Sequence, residues 1–241
     1  MTDLPERLFA NPVWHALNTT HSRFAISAGE ACRYPADMAP FAAIAGASSA
    51  AMRQLHSLLS KDESVWLVEG RFPPAPGLYV EERLGCLQMV LPRRAAFPAP
   101  VAGILELEEN DAADMVALTA LAFPGFFRAR TYEMGSYYGV RSRGKLIAMG
   151  GERMMLDGFS EISGVCTHPA HRSNGHASNL LWRLARKHRL DGHVSWLHVV
   201  TSNRPAIDLY IRMGFIPVRE LTYCRISRTD RWRTRPALAS E

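Results

Sequence analysis

The stretch Glu161-Ile-Ser-Gly-Val-Cys-Thr-His-Pro-Ala-His-Arg172-Ser-Asn-Gly175-His-Ala177 decides the fold of this 241-residue chain. Ile162, Gly164 and Cys166 alternate with Glu161, Ser163, Val165 and Thr167, the period-2 signature of a strand, and Pro169 ends it. From Ala177 the period changes. Ala177, Leu180, Leu181, Leu184 and His188 fall on one helical face, with Asn179, Arg183, Arg186 and Lys187 turned outward. The turn between the two elements, Arg172 to Ala177, has a glycine in its middle and a small residue at the helix start. The first N–H groups of a helix have no internal partner and sit at the positive end of its dipole. A turn without bulky side chains lets a phosphate or pyrophosphate reach them. Taken alone, R-x-x-G-x-A also describes an ordinary helix start.

The residues downstream decide between these readings. Trp196 to Val200 reads as a buried strand running into Thr201-Ser202-Asn203. Pro205 to Phe215 then reads as a short helix, with proline in its first turn and Gly214 just past its end. R-x-x-G-x-A after a strand, followed by N-x-x-A-I-x-L-Y-x-x-x-G-F from Asn203 to Phe215, resembles the GNAT superfamily of acyl-CoA-dependent N-acyltransferases. The resemblance covers roughly residues 103–227 and leans toward the branch of glycine N-acyltransferase-like proteins. One position departs from the family pattern: Ser173 stands where glycine is usual. The resemblance implies an α/β fold, a mixed and mostly antiparallel sheet with helices on both faces.

Outward from this centre the chain is less eloquent. Ile104 to Leu107 reads as a strand and Asp111 to Ala122 as a helix ending in the aromatic loop Phe123-Pro-Gly-Phe-Phe127. Tyr137 to Arg141 and Leu146 to Arg153 form a hairpin across Ser142-Arg-Gly144. Before it, Pro92-Arg-Arg-Ala-Ala-Phe-Pro98-Ala-Pro100 breaks both periods, and a domain boundary is placed there: residues 1–98 as a smaller N-terminal α/β domain, 99–241 as the acyltransferase-like one. In the first part, Asn11 to Leu17 and Ser48 to Leu59 read as helices, Glu63 to Glu69 and Gly85 to Leu91 as strands. Such a unit often walls the acceptor site of two-part acyltransferases, an analogy only. His15 and His21 receive no role.

Composition excludes several classes. With 47% hydrophobic and 21% charged residues, no apolar run long enough for a membrane span, and no basic-then-apolar N-terminus, the expectation is a soluble cytoplasmic protein without membrane contact. Cys32, Cys86, Cys166 and Cys224 have no metal-ligand spacing, so neither a metal nor a disulfide framework is expected. The charge of +5 is concentrated toward the C-terminus, where arginines flank Trp232. That tail reads as a solvated terminus rather than a nucleic-acid contact.

The resemblance also implies a chemistry. Acetyl-CoA is the co-substrate, and the acceptor is a small-molecule or peptide amine. A homodimer is compatible with the family. An amine must lose a proton before it attacks, and Glu161 is the candidate base, at the spacing used by the histone-acetyltransferase members; Glu152 and Glu133 are substitutes. By period, Glu161 shares a face with Val165 unless a bulge intervenes. The exposed main chain of Val165, Cys166 and Thr167 takes the pantetheine arm and the thioester oxygen. Tyr210 protonates the departing thiolate. The turn residues Arg172, Ser173, Asn174, Gly175, His176, Ala177 and Ser178 hold the diphosphate, and Asn203 meets the coenzyme arm or caps its helix. Phe126 and Phe127 line the acceptor pocket or close the core. Direct transfer in a ternary complex is expected over a covalent route through Cys166, since a thiol inside an apolar strand stays neutral. The rival classes are a non-catalytic acyl-CoA sensor or scaffold and a nucleic-acid module that binds through residues 228–241.

Overall fold

The computed structural model describes residues 5–68, 72–98 and 102–229. The arginine-rich tail from residue 230 and the strand end expected at Glu69 therefore lie outside the described residues. In chain order the elements are α1 (Glu6–Ala10), α2 (Pro12–Asn18), β1 (Ile26–Ala28), β2 (Ala31–Arg33), β3 (Ala42–Ile44), α3 (Ser49–Leu58), β4 (Ser64–Val68) and β5 (Leu78–Val90). They continue with β6 (Leu105–Leu107), α4 (Ala112–Ala122), β7 (Tyr137–Ser142), β8 (Lys145–Leu156), β9 (Phe159–Thr167), α5 (His176–Leu190), β10 (Val194–Val200), α6 (Arg204–Arg212) and β11 (Ile216–Arg228). Strands β1 to β3 form a small antiparallel sheet. The other eight form one large sheet in the order β4-β11-β5-β10-β9-β8-β7-β6, antiparallel everywhere except at β9–β10.

Alternation along β10 sorts the two faces. Trp196 and Val200 pack with Phe9, Val13 and Leu17 of α1 and α2, whereas Leu197 and Val199 pack with Leu180, Leu181 and Leu184 of α5 and Ile207 of α6. Helices therefore cover both faces, and each buried leucine contributes roughly 1.5–3 kcal/mol. Helix α4 joins the first face, with Met115 and Leu118 against Met149 and Cys166.

The proline-rich segment does not divide the sheet. β5, which precedes it, lies between β10 and β11 and pairs with both, Trp196–Val200 opposite Val90–Cys86 on one side and Ile216–Arg228 along its length on the other. The break in periodicity at Pro92 marks a crossing between strands of one sheet. β5 is also longer than the expected strand at Gly85, because Glu81, Glu82 and Arg83 interrupt the apolar pattern while the backbone of Glu82 and Arg83 stays in the ladder with β11 and Glu81 sits at a register shift. The long β10–β5–β11 ladder yields a prediction. A fragment beginning at residue 99 leaves β10 and β11 with open inner edges, so it is expected to lack native near-ultraviolet dichroism and cooperative urea unfolding, while the full chain shows both.

Candidate active site

The parallel pairing of β9 and β10 runs only from Phe159–Ile162 opposite Val194–Leu197. Beyond it the strands part. β10 stays bound to β5 up to the Thr201 N–H, which donates to the Gly85 carbonyl at 3.0 Å, and β9 stays bound to β8. Residues Ser163–Thr167 of β9 and His198–Val200 of β10 both border the resulting cavity of about 830 Å³. β9 carries a bulge here: Cys166 and Ser163, three apart, oppose Met149 and Gly151, two apart, and Gly164 has φ 66°. The extra residue reverses the parity read from the sequence. Val165 packs toward α5 with the apolar cluster of that face, while Glu161 lies on the opposite side against the Arg153 guanidinium.

At one end of the cavity lies the turn into α5. Gly175 is its N-cap with φ 76°, and no side chain caps the helix. Among the described residues, the main-chain N–H groups of Ser173 to Ser178 donate no hydrogen bond; the first donor in the helix is the Asn179 N–H, to the Gly175 carbonyl at 3.1 Å. Six consecutive donors thus stand at the positive end of a fifteen-residue helix. A Cβ on Gly175 would meet nothing nearer than 3.9 Å, so backbone conformation and not crowding requires glycine. Ser173, at the family's other glycine position, also has a left-handed φ of 65°. The departure in sequence is therefore accommodated by strain and not by a different turn.

Of the residues expected to hold the coenzyme, Val165, Cys166, Thr167, Arg172, Ser173, Gly175, His176, Ala177, Ser178, Asn203 and Tyr210 all line the cavity. Asn174 does not. Its Nδ2 donates to the carbonyls of His171 and Arg172 at 3.1 and 3.2 Å and so braces the turn from behind. Asn203 caps α6, its Oδ1 accepting from the Ala206 N–H at 3.3 Å. The Tyr210 ring packs beside Ala206 and Leu209, burial pushes its hydroxyl up to about 12, and it makes no side-chain hydrogen bond among the described residues. The hydroxyl is a proton donor without a protein partner. Burial likewise lifts the Cys166 thiol to about 12, which keeps it neutral.

The carboxylates behave otherwise than expected. No aspartate or glutamate lines the cavity among the described residues. Glu133 pairs with Arg130 at 2.6 Å, and Glu152 is buried beneath α5 against Lys187 and the Ser136 N–H. Glu161 is wholly buried, and its oxygens accept from Arg153 Nε and Nη2 at 3.0 and 2.5 Å, the Met154 N–H at 3.2 Å and His198 Nδ1 at 2.8 Å. Burial alone would raise its carboxyl, but Arg153 and His198 outweigh that and hold it at about 2. Glu161 therefore lies behind the cavity wall as a saturated anion.

Its two side-chain partners do line the cavity, and neither was singled out from the sequence. An ionised carboxylate only accepts, so His198 carries its proton on Nδ1 and leaves Nε2 as acceptor. Gln88 Nε2 donates to that nitrogen at 3.0 Å and to the Phe9 carbonyl at 3.0 Å, and the Tyr223 hydroxyl lies 3.4 Å away. Burial and Arg153 lower the pKa of His198 below 6.5 against the opposing pull of Glu161, so the ring is neutral at pH 7. The signal in the sequence was a histidine at the buried centre of an otherwise apolar strand, in step with Trp196. Phe126 and Phe127 each line the cavity, and Phe127 also sits in the core against Tyr137. The first part of the chain contributes Phe41, Trp66, Leu84 and Cys86 to the wall.

Among the described residues there is no group of His, Cys, Asp and Glu suited to a metal and no helix long and apolar enough to cross a membrane. The FR47-like protein family model matches residues 137–226. A crystal structure from Novosphingobium aromaticivorans, designated a GNAT-family acetyltransferase, is 34% identical, with 92% of this chain and 98% of that one covered at a TM-score of 0.83. A GCN5-related N-acetyltransferase from Kribbella flavida (18% identity, 95% and 96% covered, TM-score 0.60) and a GCN5-related N-acetyltransferase-like protein from Streptococcus suis (12%, 93% and 94%, 0.59) share the fold. No curated protein matches.

The strain at the turn predicts opposite responses to two substitutions. Ser173→Gly relieves a left-handed residue worth roughly 1–2 kcal/mol but restores glycine's chain entropy, so a net gain of about 0.5–1 kcal/mol is expected. Gly175→Ala should lose about 1 kcal/mol or more and weaken coenzyme A binding. Urea midpoints and calorimetric titration check both.

Proposed function

The chain belongs to the GNAT family, and from that premise we propose that it transfers the acetyl group of acetyl-CoA to a primary amine by direct attack in a ternary complex. One observation carries the reading: five of the six unpaired amides at the head of α5, those of Ser173 and Gly175 to Ser178, belong to residues that line the same cavity as the parted edge of β9 and Tyr210. A diphosphate on those amides directs a pantetheine arm along Val165 to Thr167, toward Tyr210. The two motifs favour the glycine N-acyltransferase-like branch, and the proposal includes that placement.

In this scheme the amine nitrogen bonds to the thioester carbon, the carbon–sulfur bond breaks, and Tyr210 gives its proton to the leaving sulfur. The nitrogen releases one proton on becoming an amide. His198 Nε2 is the acceptor we propose, reached through the Tyr223 hydroxyl when Gln88 Nε2 gives up its hydrogen bond to that nitrogen, with Glu161 fixing the tautomer and balancing the imidazolium that forms. A carboxyl at about 2 is too weak a base to take that proton itself, so Glu161 acts as a positioning residue.

Saturating coenzyme A, at about a hundred times its dissociation constant, should add about 2.7 kcal/mol of stability. Tyr210→Phe should then cut kcat by roughly 10²-fold or more with that shift intact. A sensor or scaffold would give the thermal shift with no thiol release from any amine. Because His198 must be neutral to accept a proton and its pKa is lowered, kcat should stay level down to pH 6.5 and fall only below it. In His198→Ala that acid limb should vanish.

A further inference from the structure

Within the acyltransferase reading, we propose that the acceptor is an aromatic amine carrying one carboxylate, recognised by the free edge of Arg153 and an aromatic wall from the first part of the chain. The cavity's charge is one-sided: it is lined by Arg153, Arg172 and Arg212, and by no carboxylate among the described residues. A polyamine or a lysine-rich peptide would bring several positive charges with nothing to receive them. Arg172 lies in the turn into α5 and Arg212 is the last residue of α6. Of the three, Arg153 rests on a ring of the aromatic wall, Phe41.

Its guanidinium is only partly used. Nε and Nη2 bind Glu161, and the face of the group rests over the Phe41 ring at 4.7 Å. Nη1 has no hydrogen-bond partner among the described residues, yet it is not a buried unsatisfied atom, so its N–H pair opens onto the cavity that Arg153 lines. Glu161 cancels the net charge, but the remaining donors still form a fork edge suited to a carboxylate. Around it stand flat walls. Trp66 and Phe126 lie nearly parallel at 5.5 Å, Phe41 and Phe126 at 6.1 Å, and Tyr137 and Tyr223 close the same end. Such surfaces favour a planar ring through stacking and edge contacts. Wall and donor together fit a ring, an anion and an amine on one small molecule, the arrangement of an aromatic α-amino acid.

Initial rates of thiol release with acetyl-CoA and L-phenylalanine, L-tryptophan, phenethylamine, tryptamine or spermidine test this. The carboxylated amines should exceed their decarboxylated counterparts by at least about tenfold in kcat/KM, as one charged hydrogen bond warrants, and spermidine should be inert. Arg153→Lys keeps a cation opposite Glu161 but lacks the fork, so the ratio should collapse toward one while coenzyme A affinity holds. Trp66→Ala should raise KM for the aromatic acceptors at little cost in kcat. Preference for spermidine or the decarboxylated amines, or a ratio indifferent to Arg153→Lys, overturns this inference alone. Failure of coenzyme A to bind, or binding with no thiol release from any of the amines, overturns the acyltransferase reading beneath it.

Discussion

The parting of β9 from β10 is the constraint on which the rest of the molecule depends. A strand inside a sheet normally spends its N–H and C=O groups on both neighbours, and a gap there would leave buried polar groups unpaired. Two devices make the gap tolerable. The bulge at Gly164 lets β9 turn away while keeping its ladder with β8, and β5 holds β10 along its free length. Gly150 and Gly151, across from the bulge, make room for it. A Cβ at the first would press Val165 Cγ2 at 3.1 Å, and one at the second would lie 2.2 Å from the Tyr137 ring. The cavity is thus a product of backbone geometry before any catalytic side chain enters it.

At the fork, where the pairing of β9 and β10 ends, the molecule buries an ion pair and its histidine partner across three strands: Arg153 on β8, Glu161 on β9 and His198 on β10. Burying charge is costly, and such a pair adds stability only when nearly every lone pair is met. Here Glu161 receives four hydrogen bonds, counting both from Arg153. The cluster fixes the relative register of β8, β9 and β10 at the point where backbone pairing is about to fail. The same saturation explains why Glu161 makes a poor proton acceptor. What holds a carboxylate ionised at about 2 also removes its basicity, which is why the proposed mechanism gives the acceptor role to the neutral ring that leans on it.

Local chemistry was legible in the sequence, and long-range partnership was not. The strand–turn–helix at Glu161 to Leu190 and the helix after Asn203 were readable because glycine, proline and apolar period leave unambiguous local marks. The coenzyme end was readable for the same reason: main-chain donors follow from the turn alone, and only Asn174 points elsewhere. The other end of the cavity, where we propose the acceptor to sit, is lined by Phe41, Trp66, Arg153, His198 and Tyr223, which meet only through long-range packing. The placement of β5 between β10 and β11 is the decisive unreadable fact. Its charged middle hides the first half of the strand, and Pro92 invites a boundary where the chain in fact crosses within one sheet. Parity misled as well, since one inserted residue at Gly164 turned Val165 away from Glu161's side.

The two ends of the cavity follow different physics, and the first part of the chain explains the difference. At the turn, exposed amides and arginines would meet the proposed anion in a high-dielectric setting, where attraction is long-ranged and undemanding of shape. At the far end, aromatic rings and one half-spent guanidinium would meet the proposed acceptor out of water, where each unmet polar group weighs heavily. β5 serves both. It holds β10 apart so that the coenzyme end can exist, and it places Gln88 on His198 and Cys86 in the wall where an acceptor would lie. A segment that carries no recognisable motif therefore keeps the fork open and helps define what can enter it, which is why its removal should not leave a broader-specificity enzyme behind. With β5 gone, the strand that holds β10 beyond the fork and the Gln88 partner of His198 Nε2 go together.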